Sequence, residues 1–339
     1  MMFKSLLGFA AIAAASPMDL DRYLQAFDAR DGSTRVTNTN LDNMKFYTQH
    51  AAAAYCNYNT PTGQKIECRG DACPLVARNQ PSVIKSMVGK YTGIGAYVST
   101  DNVRNETVLA VRGSNNIRNW ITDFIFPFQN CDLTKDCKVH TGFATAWSEI
   151  ADEATKAINS ARRAHANYKV ILTGHSLGGA VATLGAAYLR KAGIPLDLYT
   201  YGSPRVGNDK FTTWFSSQKG GQWRVTHESD PVPRLPPMGV GYRHVTPEYW
   251  LTGGDTWKID YTVDQIRVCH GIANAECNAK LVLPDIFAHL RYLGITSGCS
   301  KILIGARDTS QTDDLPQDVK DRLEYWAQTD REFVKEHGL

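Results

Sequence analysis

Val170-Ile171-Leu172-Thr173-Gly174-His175-Ser176-Leu177-Gly178-Gly179-Ala180 joins an apolar, β-branched run to an alanine-rich one, with Gly-x-Ser-x-Gly between them. The first run reads as a buried strand over Tyr168 to Thr173 and the second as a helix from Ala180 to Arg190. A serine on so tight a strand-to-helix turn is held in strained backbone geometry with its oxygen projecting. Gly174 and Gly178 leave room for the two elements to pass, and the helix aims its positive end at the serine. The pattern alone arises by chance in glycine-containing chains. The flanking strand and helix make Ser176 a candidate nucleophile.

The same alternation extends outward. Phe143, Trp147, Ile150, Ala154, Ala157, Ile158 and Ala161 form a helical stripe over Phe143 to Ala164. Leu196 to Tyr201 reads as a strand ending in Gly202-Ser203-Pro204, Asn208 to Gln218 as a helix, and Gln222 to Thr226 as a strand closing at His227-Glu228-Ser229-Asp230-Pro231. Upstream, Leu41 to Ala54 suits a helix. Gly93 to Thr100 and Thr107 to Val111 form a hairpin through Asp101-Asn102, and its second strand leaves at Arg112-Gly113-Ser114. Strand alternating with helix predicts the α/β class: a mainly parallel central sheet covered by helices on both faces, in one domain over residues 41–299.

With 339 residues, 43% of them hydrophobic and 21% charged, the chain is long enough to bury a large core. A net charge of +3, with no basic cluster interleaved with aromatics, argues against a nucleic-acid partner. Lys4 followed by the apolar stretch Leu6 to Ala15 reads as a secretion signal over 1–15. It is too short to span a bilayer, and no later run reaches the roughly 20 apolar residues a transmembrane helix needs. A soluble, secreted protein is expected. Residues 16–40 read as a pro-segment or loose arm, and 300–339 as a charged extension. The extension contains an amphipathic helix with Val319, Leu323, Trp326 and Phe333 on its stripe. Its mixed-sign polar face favours packing on the domain over a membrane anchor.

Eight cysteines in an exported chain imply a disulfide framework. Local pairing of Cys68 with Cys73, Cys131 with Cys137 and Cys269 with Cys277 leaves Cys56 and Cys299 to tie the start of the fold to its end. A zinc site is disfavoured because no CxxC pair or matching histidine spacing accompanies them. Asn105-Glu106-Thr107 is a glycosylation sequon placed at an expected surface turn.

Serine is a poor nucleophile at neutral pH, so Ser176 needs a neutral imidazole to take its proton and a carboxylate to orient that imidazole. In an α/β hydrolase both follow the serine in chain order and leave the carboxyl ends of strands. Asp230 stands there, at a strand end and fixed by Pro231 and Pro233. Asp197 enters its strand at the wrong end, and Asp209 suits a helix cap. Of the later histidines, His270 adjoins an expected disulfide and His337 lies in the terminal helix. Position does not separate His244 from His289.

Five stretches, in order, resemble the filamentous-fungal triacylglycerol lipases of class 3. They are Arg112-Gly113-Ser114, the run Gly174 to Ala180, Tyr201 to Asn208, His227 to Pro237, and Pro284-Asp285-Ile286-Phe287-Ala288-His289-Leu290. The resemblance covers Leu41 to Cys299. It implies the α/β-hydrolase fold, with Ser176 as nucleophile, Asp230 as orienting acid and His289 as general base and acid. It further implies an oxyanion hole from Leu177 N–H and from the N–H and hydroxyl of Ser114. Cys56 with Cys299, Cys68 with Cys73 and Cys131 with Cys137 match the family's disulfides, and Cys269 with Cys277 is an additional pair.

In that family the apolar segment after the oxyanion serine is a lid. Here it is 116–124, with Ile117, Trp120, Ile121 and Phe124. The expectation is a secreted triacylglycerol lipase, a serine hydrolase of long-chain acylglycerol esters acting at lipid-water interfaces, with no metal or organic cofactor. A feruloyl esterase, a phospholipase or a partial-glyceride lipase on the same scaffold are the alternatives. A non-catalytic lipid-binding relative is the reading from another class.

Overall fold

The structure, a computed structural model, describes residues 35–294, 296–299 and 315–338. The expected secretion signal at 1–15, the arm up to residue 34 and the segment 300–314 lie outside the described residues.

In chain order the elements are α1 (Asn38–Asn57), α2 (Pro74–Asn79), β1 (Ser82–Val88), β2 (Gly95–Asp101), β3 (Glu106–Val111), α3 (Ile117–Thr122), β4 (Phe128–Asn130) and β5 (Lys138–His140). Then come α4 (Thr141–Ala164), β6 (Lys169–His175), α5 (Leu177–Lys191), β7 (Asp197–Tyr201), α6 (Asp209–Ser217) and β8 (Gln222–His227). The last are β9 (Glu248–Leu251), β10 (Ile266–Cys269), α7 (Ile286–His289) and α8 (Gln317–Glu336). Among the described residues the main sheet has eight strands, ordered β1-β2-β3-β6-β7-β8-β9-β10. β3, β6, β7, β8 and β9 are mutually parallel, while β1, β2 and β10 pair antiparallel at the two margins. This is the α/β-hydrolase fold, with helices on both faces of a mainly parallel sheet.

The apolar strand runs are continuous because both faces are buried. Leu109, Leu172 and Leu198 pack with Phe143, Trp147 and Ile150 of α4 and with Val181 and Leu184 of α5. Their neighbours Val108, Ile171 and Tyr199 face Met44, Tyr47 and Ala51 of α1. Truncating a core leucine such as Leu172 to alanine in so filled an interior costs roughly 2–5 kcal/mol.

Three strands of the main sheet, and the small β4–β5 pair, lie beyond those the sequence reading anticipates. β1 is half-exposed at the sheet margin, and β9 and β10 are four residues each, too short for periodicity to declare. One expectation is corrected. The helix after β7 is capped by Asn208, whose side chain accepts from Phe211 N–H at 3.1 Å, not by Asp209. Asp209 occupies the first turn, where its charge suits the helix dipole.

Four disulfides, Cys56–Cys299, Cys68–Cys73, Cys131–Cys137 and Cys269–Cys277, staple the loops. Asn105 is exposed in the turn between β2 and β3 at φ 55°. No described helix is long and apolar enough to cross a membrane.

Candidate active site

β3, β6, β7 and β8 end on the same side of the sheet, with Val111 opposite Gly174 and His175 opposite Tyr201. Ser176 follows β6 at φ 57° and ψ −132°, a left-handed setting that a non-glycine residue adopts only under strain. Its N–H donates to Tyr201 O at 2.9 Å. The turn closes because two residues carry no Cβ: one on Gly174 would lie 2.3 Å from Gly178 O, and one on Gly178 would lie 2.2 Å from Val111 O.

Asp230 lies just beyond β8. Its Oδ1 accepts from Val232 N–H at 2.8 Å, and its Oδ2 accepts from His289 Nδ1 at 2.8 Å and from the Tyr292 hydroxyl. Ser176, Asp230, His289 and Tyr292 are all fully buried. Burial, reinforced by the Asp230 charge, pushes the Tyr292 hydroxyl well above its ordinary value, so it stays a donor. With Nδ1–H committed to the carboxylate, His289 presents Nε2 as its basic nitrogen. Neither that atom nor Ser176 Oγ has a hydrogen-bond partner among the described residues. Gly202, at φ 58°, leaves room for the pair. A Cβ there would stand 2.9 Å from Asp230 Oδ2 and from His289 Cε1 and Nδ1.

The rival histidine is elsewhere employed. His244 Nε2 donates to Pro233 O at 2.6 Å, and burial with the charges of Arg224 and Arg205 depresses its pKa well below the usual range. His337, just past the end of α8, bonds Phe333 O, and His270 follows Cys269 after β10.

Ser114 and Leu177 both line a cavity of about 460 Å³, whose other walls include Ile94, Trp120, Phe124, His140 and Phe143. Ser114 Oγ accepts from Asn116 N–H at 3.2 Å, and Leu177 opens α5, where helix N–H groups lack intrahelical partners. The segment 116–124 carries α3, capped by Asn116 accepting from Asn119 N–H at 3.0 Å. Trp120 and Phe124, 4.2 Å apart between ring centroids, face the cavity. Ile117 and Ile121 are buried in a second cluster with Val232, Leu235 and Ile286.

Several residues of this site are not singled out by the sequence reading. The Tyr55 hydroxyl donates to His175 Nδ1 at 2.9 Å, and His175 Nε2–H donates to the backbone oxygen of His289 at 2.8 Å. The carbonyl can only accept, which fixes the tautomer. Burial, then the nearby His289, hold the His175 pKa well below its ordinary value and keep the ring neutral. His175 lies within the Gly-x-Ser-x-Gly run and could have been suspected there. Tyr55, Tyr292 and Gly202 act across distances no local pattern reveals.

Residues 108–240 match the family model described as Lipase (class 3). A secreted mono- and diacylglycerol lipase 1 of Fusarium solani is 49% identical over 99% of both chains. A secreted mono- and diacylglycerol lipase A of Penicillium cyclopium is 35% identical over 86% of this chain and 93% of its own. Among solved structures, the mono- and diacylglycerol lipase of Aspergillus oryzae superposes with a TM-score of 0.73. It is 36% identical and covers 78% of this chain and 99% of its own.

Proposed function

The chain belongs to the class 3 lipases and is a secreted serine ester hydrolase, and on that premise we propose that Ser176, His289 and Asp230 cleave acylglycerols at lipid-water interfaces, mono- and diacylglycerols included. The observation that carries the catalytic part is the buried bond from His289 Nδ1 to Asp230 Oδ2 beside a serine at φ 57°. The substrate part rests on relatives named for mono- and diacylglycerols, one of them similar over 99% of the chain.

In this reading Ser176 Oγ attacks the ester carbonyl carbon while His289 Nε2 takes its proton, and the imidazolium returns that proton to the departing glycerol oxygen. Water, deprotonated by the same nitrogen, then attacks the acyl-serine and releases the fatty acid. Asp230 stabilises the imidazolium, and Tyr292 holds the carboxylate in place. The Leu177 N–H and the N–H and hydroxyl of Ser114 receive the developing oxyanion, where loss of one donor commonly costs about 3 kcal/mol. The acyl chain takes the cavity under Trp120 and Phe124. Because Ser176 is fully buried, segment 116–124 acts as a lid that must move before a substrate enters. The catalytic domain spans 41–299, to which the start of α1 adds 38–40 and the buried Val36 before it, with 1–15 as signal, the residues between as arm and 300–339 as extension. Asn105 is the exposed glycan acceptor.

Ser176→Ala is expected to abolish hydrolysis of emulsified mono- and dioleoylglycerol with folding intact. Trioleoylglycerol, phosphatidylcholine and methyl ferulate, assayed in parallel, are expected to be cleaved more slowly. Surviving activity in the alanine variant removes the nucleophile assignment, and faster cleavage of another ester replaces the substrate assignment.

A further inference from the structure

α8 contributes nothing to the proposed triad, yet it touches the segment that covers it. Its buried positions Val319, Leu323, Ala327 and Asp330 fall three or four residues apart, a single narrow stripe. Val319 and Leu323, with Leu315 before the helix, join Ile117 and Ile121 of α3 in one apolar cluster. The cluster's floor is Val232 and Ile286, close in sequence to Asp230 and His289.

Two direct ties accompany this packing. Arg322 Nη2 donates to Thr122 O, the last carbonyl of α3, at 3.0 Å, and Trp326 meets Phe126 edge to face at 5.1 Å. One turn further along, Asp330 forms an ion pair with Arg205 at 2.7 Å, the two side chains 1% and 3% exposed. Its other oxygen accepts from Met238 N–H at 2.6 Å. A buried pair is expensive to desolvate and tolerates little displacement, so it sets the register at which the helix docks.

We propose that α8 is a strap. It holds segment 116–124 shut by occupying the outer apolar face of α3, and a lipid surface displaces it from that face. The proposal rests on reading 116–124 as the cover of Ser176. Lipid is the competitor because the face beneath α8 is apolar and shares Trp120 and Phe124 with the ester cavity. A monomeric soluble protein seldom leaves such a face uncovered. The helix itself carries charges of both signs on its outer side and only a shallow stripe, so it is soluble when released. The equilibrium between strapped and released states then sets how often Ser176 is reachable in water.

The test uses the full-length chain and the rate at which a soluble phosphonate ester labels Ser176, with and without vesicles of phosphatidylcholine and dioleoylglycerol. Melting temperatures are recorded alongside. Wild type is expected to label slowly in water and fast with vesicles. Leu323→Ser, which weakens the stripe, is expected to label about tenfold faster in water while its rate with vesicles stays at the wild-type level. Arg322→Ala, which cuts one tie and leaves the core intact, is expected to move the same way by a few-fold. It carries the test should Leu323→Ser fail to fold. Unchanged labelling in water for a folded variant, with only the melting temperature lowered, overturns the strap and leaves α8 a structural helix. A wild-type chain that labels under neither condition overturns the Ser176 assignment and the strap together.

Discussion

Tyr55 and His175 are joined by a hydrogen bond of 2.9 Å that links the first helix of the fold to the residue immediately before Ser176. His175 spends its second nitrogen on the backbone of His289, so the turn at Ser176, His289 and α1 share one chain of bonds. The rings of His175 and His289 lie 4.5 Å apart. Tyr55→Phe removes the donor and leaves a buried acceptor unsatisfied, which costs about 1–3 kcal/mol. If that loss falls on the orientation of His289, kcat drops about tenfold with KM unchanged. Steady-state kinetics on a dissolved short-chain ester read this split. A rise in KM at constant kcat would mean that Tyr55 contacts substrate instead.

Gly202→Ala tests the space behind the Asp230–His289 pair. The new Cβ would come within 2.9 Å of both groups at a position where φ is already 58°. Activity is expected to fall by about a hundredfold, a misplacement effect of the size known for catalytic groups shifted by an ångström. Circular dichroism should show the fold retained. Near-normal activity would show that the pair has room to retreat.

Trp120→Ser should depress hydrolysis of emulsified ester more than that of a dissolved short ester if, as proposed, Trp120 offers apolar surface to lipid besides lining the cavity. The ratio of the two specific activities, compared with wild type, is the measurement. Equal losses on both substrates would assign Trp120 to the cavity wall alone.

Acid should destabilise the fold through its buried histidines. Burial, with a smaller effect of the Arg104 charge, brings His50 down to about 3. The unfolded chain takes up that proton near pH 6.5 and the native chain does not, so stability is intact above this value and falls as pH drops toward 3. At pH 5 the linkage for this one group is about 2 kcal/mol. His175 and His244 are shifted in the same direction. Urea unfolding of wild type and His50→Gln at pH 7.5 and pH 5 should show a shallower loss for the variant. Parallel losses would locate the acid sensitivity elsewhere.

What sequence made legible was local or periodic. The strand-turn-helix at Ser176 announces itself through Gly174, Gly178 and the runs beside them, and the buried strands declare themselves by unbroken apolar residues. Asp230 is visible because a proline-fixed strand end is a local feature. Choosing between His244 and His289 required resemblance, since the partner of Asp230 lies 59 residues away and no spacing encodes that contact. β9, all four of whose residues are buried, includes Glu248, which pairs with Arg224 at 2.9 Å. A charged residue in so short a run hides a strand from any hydrophobic pattern. The contact of α8 with α3 is equally silent, because an amphipathic stripe announces a buried face and not the surface that buries it.

The Cys56–Cys299 cross-link spans 243 residues and sits one position from Tyr55. Its place predicts that oxidation of the chain and alignment of the candidate site are coupled. In a reducing compartment the two sulfurs stay apart, and the helix bearing Tyr55 loses its covalent tie to the segment that follows His289. Gentle reduction of the folded protein should therefore slow turnover before it erodes helical content, with the two signals followed together by activity and far-ultraviolet ellipticity. Simultaneous decay would make the bond a fastener of the fold alone. Turnover lost before helical content would mean that this ester hydrolase reaches full competence only where the bond can form, in an oxidising compartment.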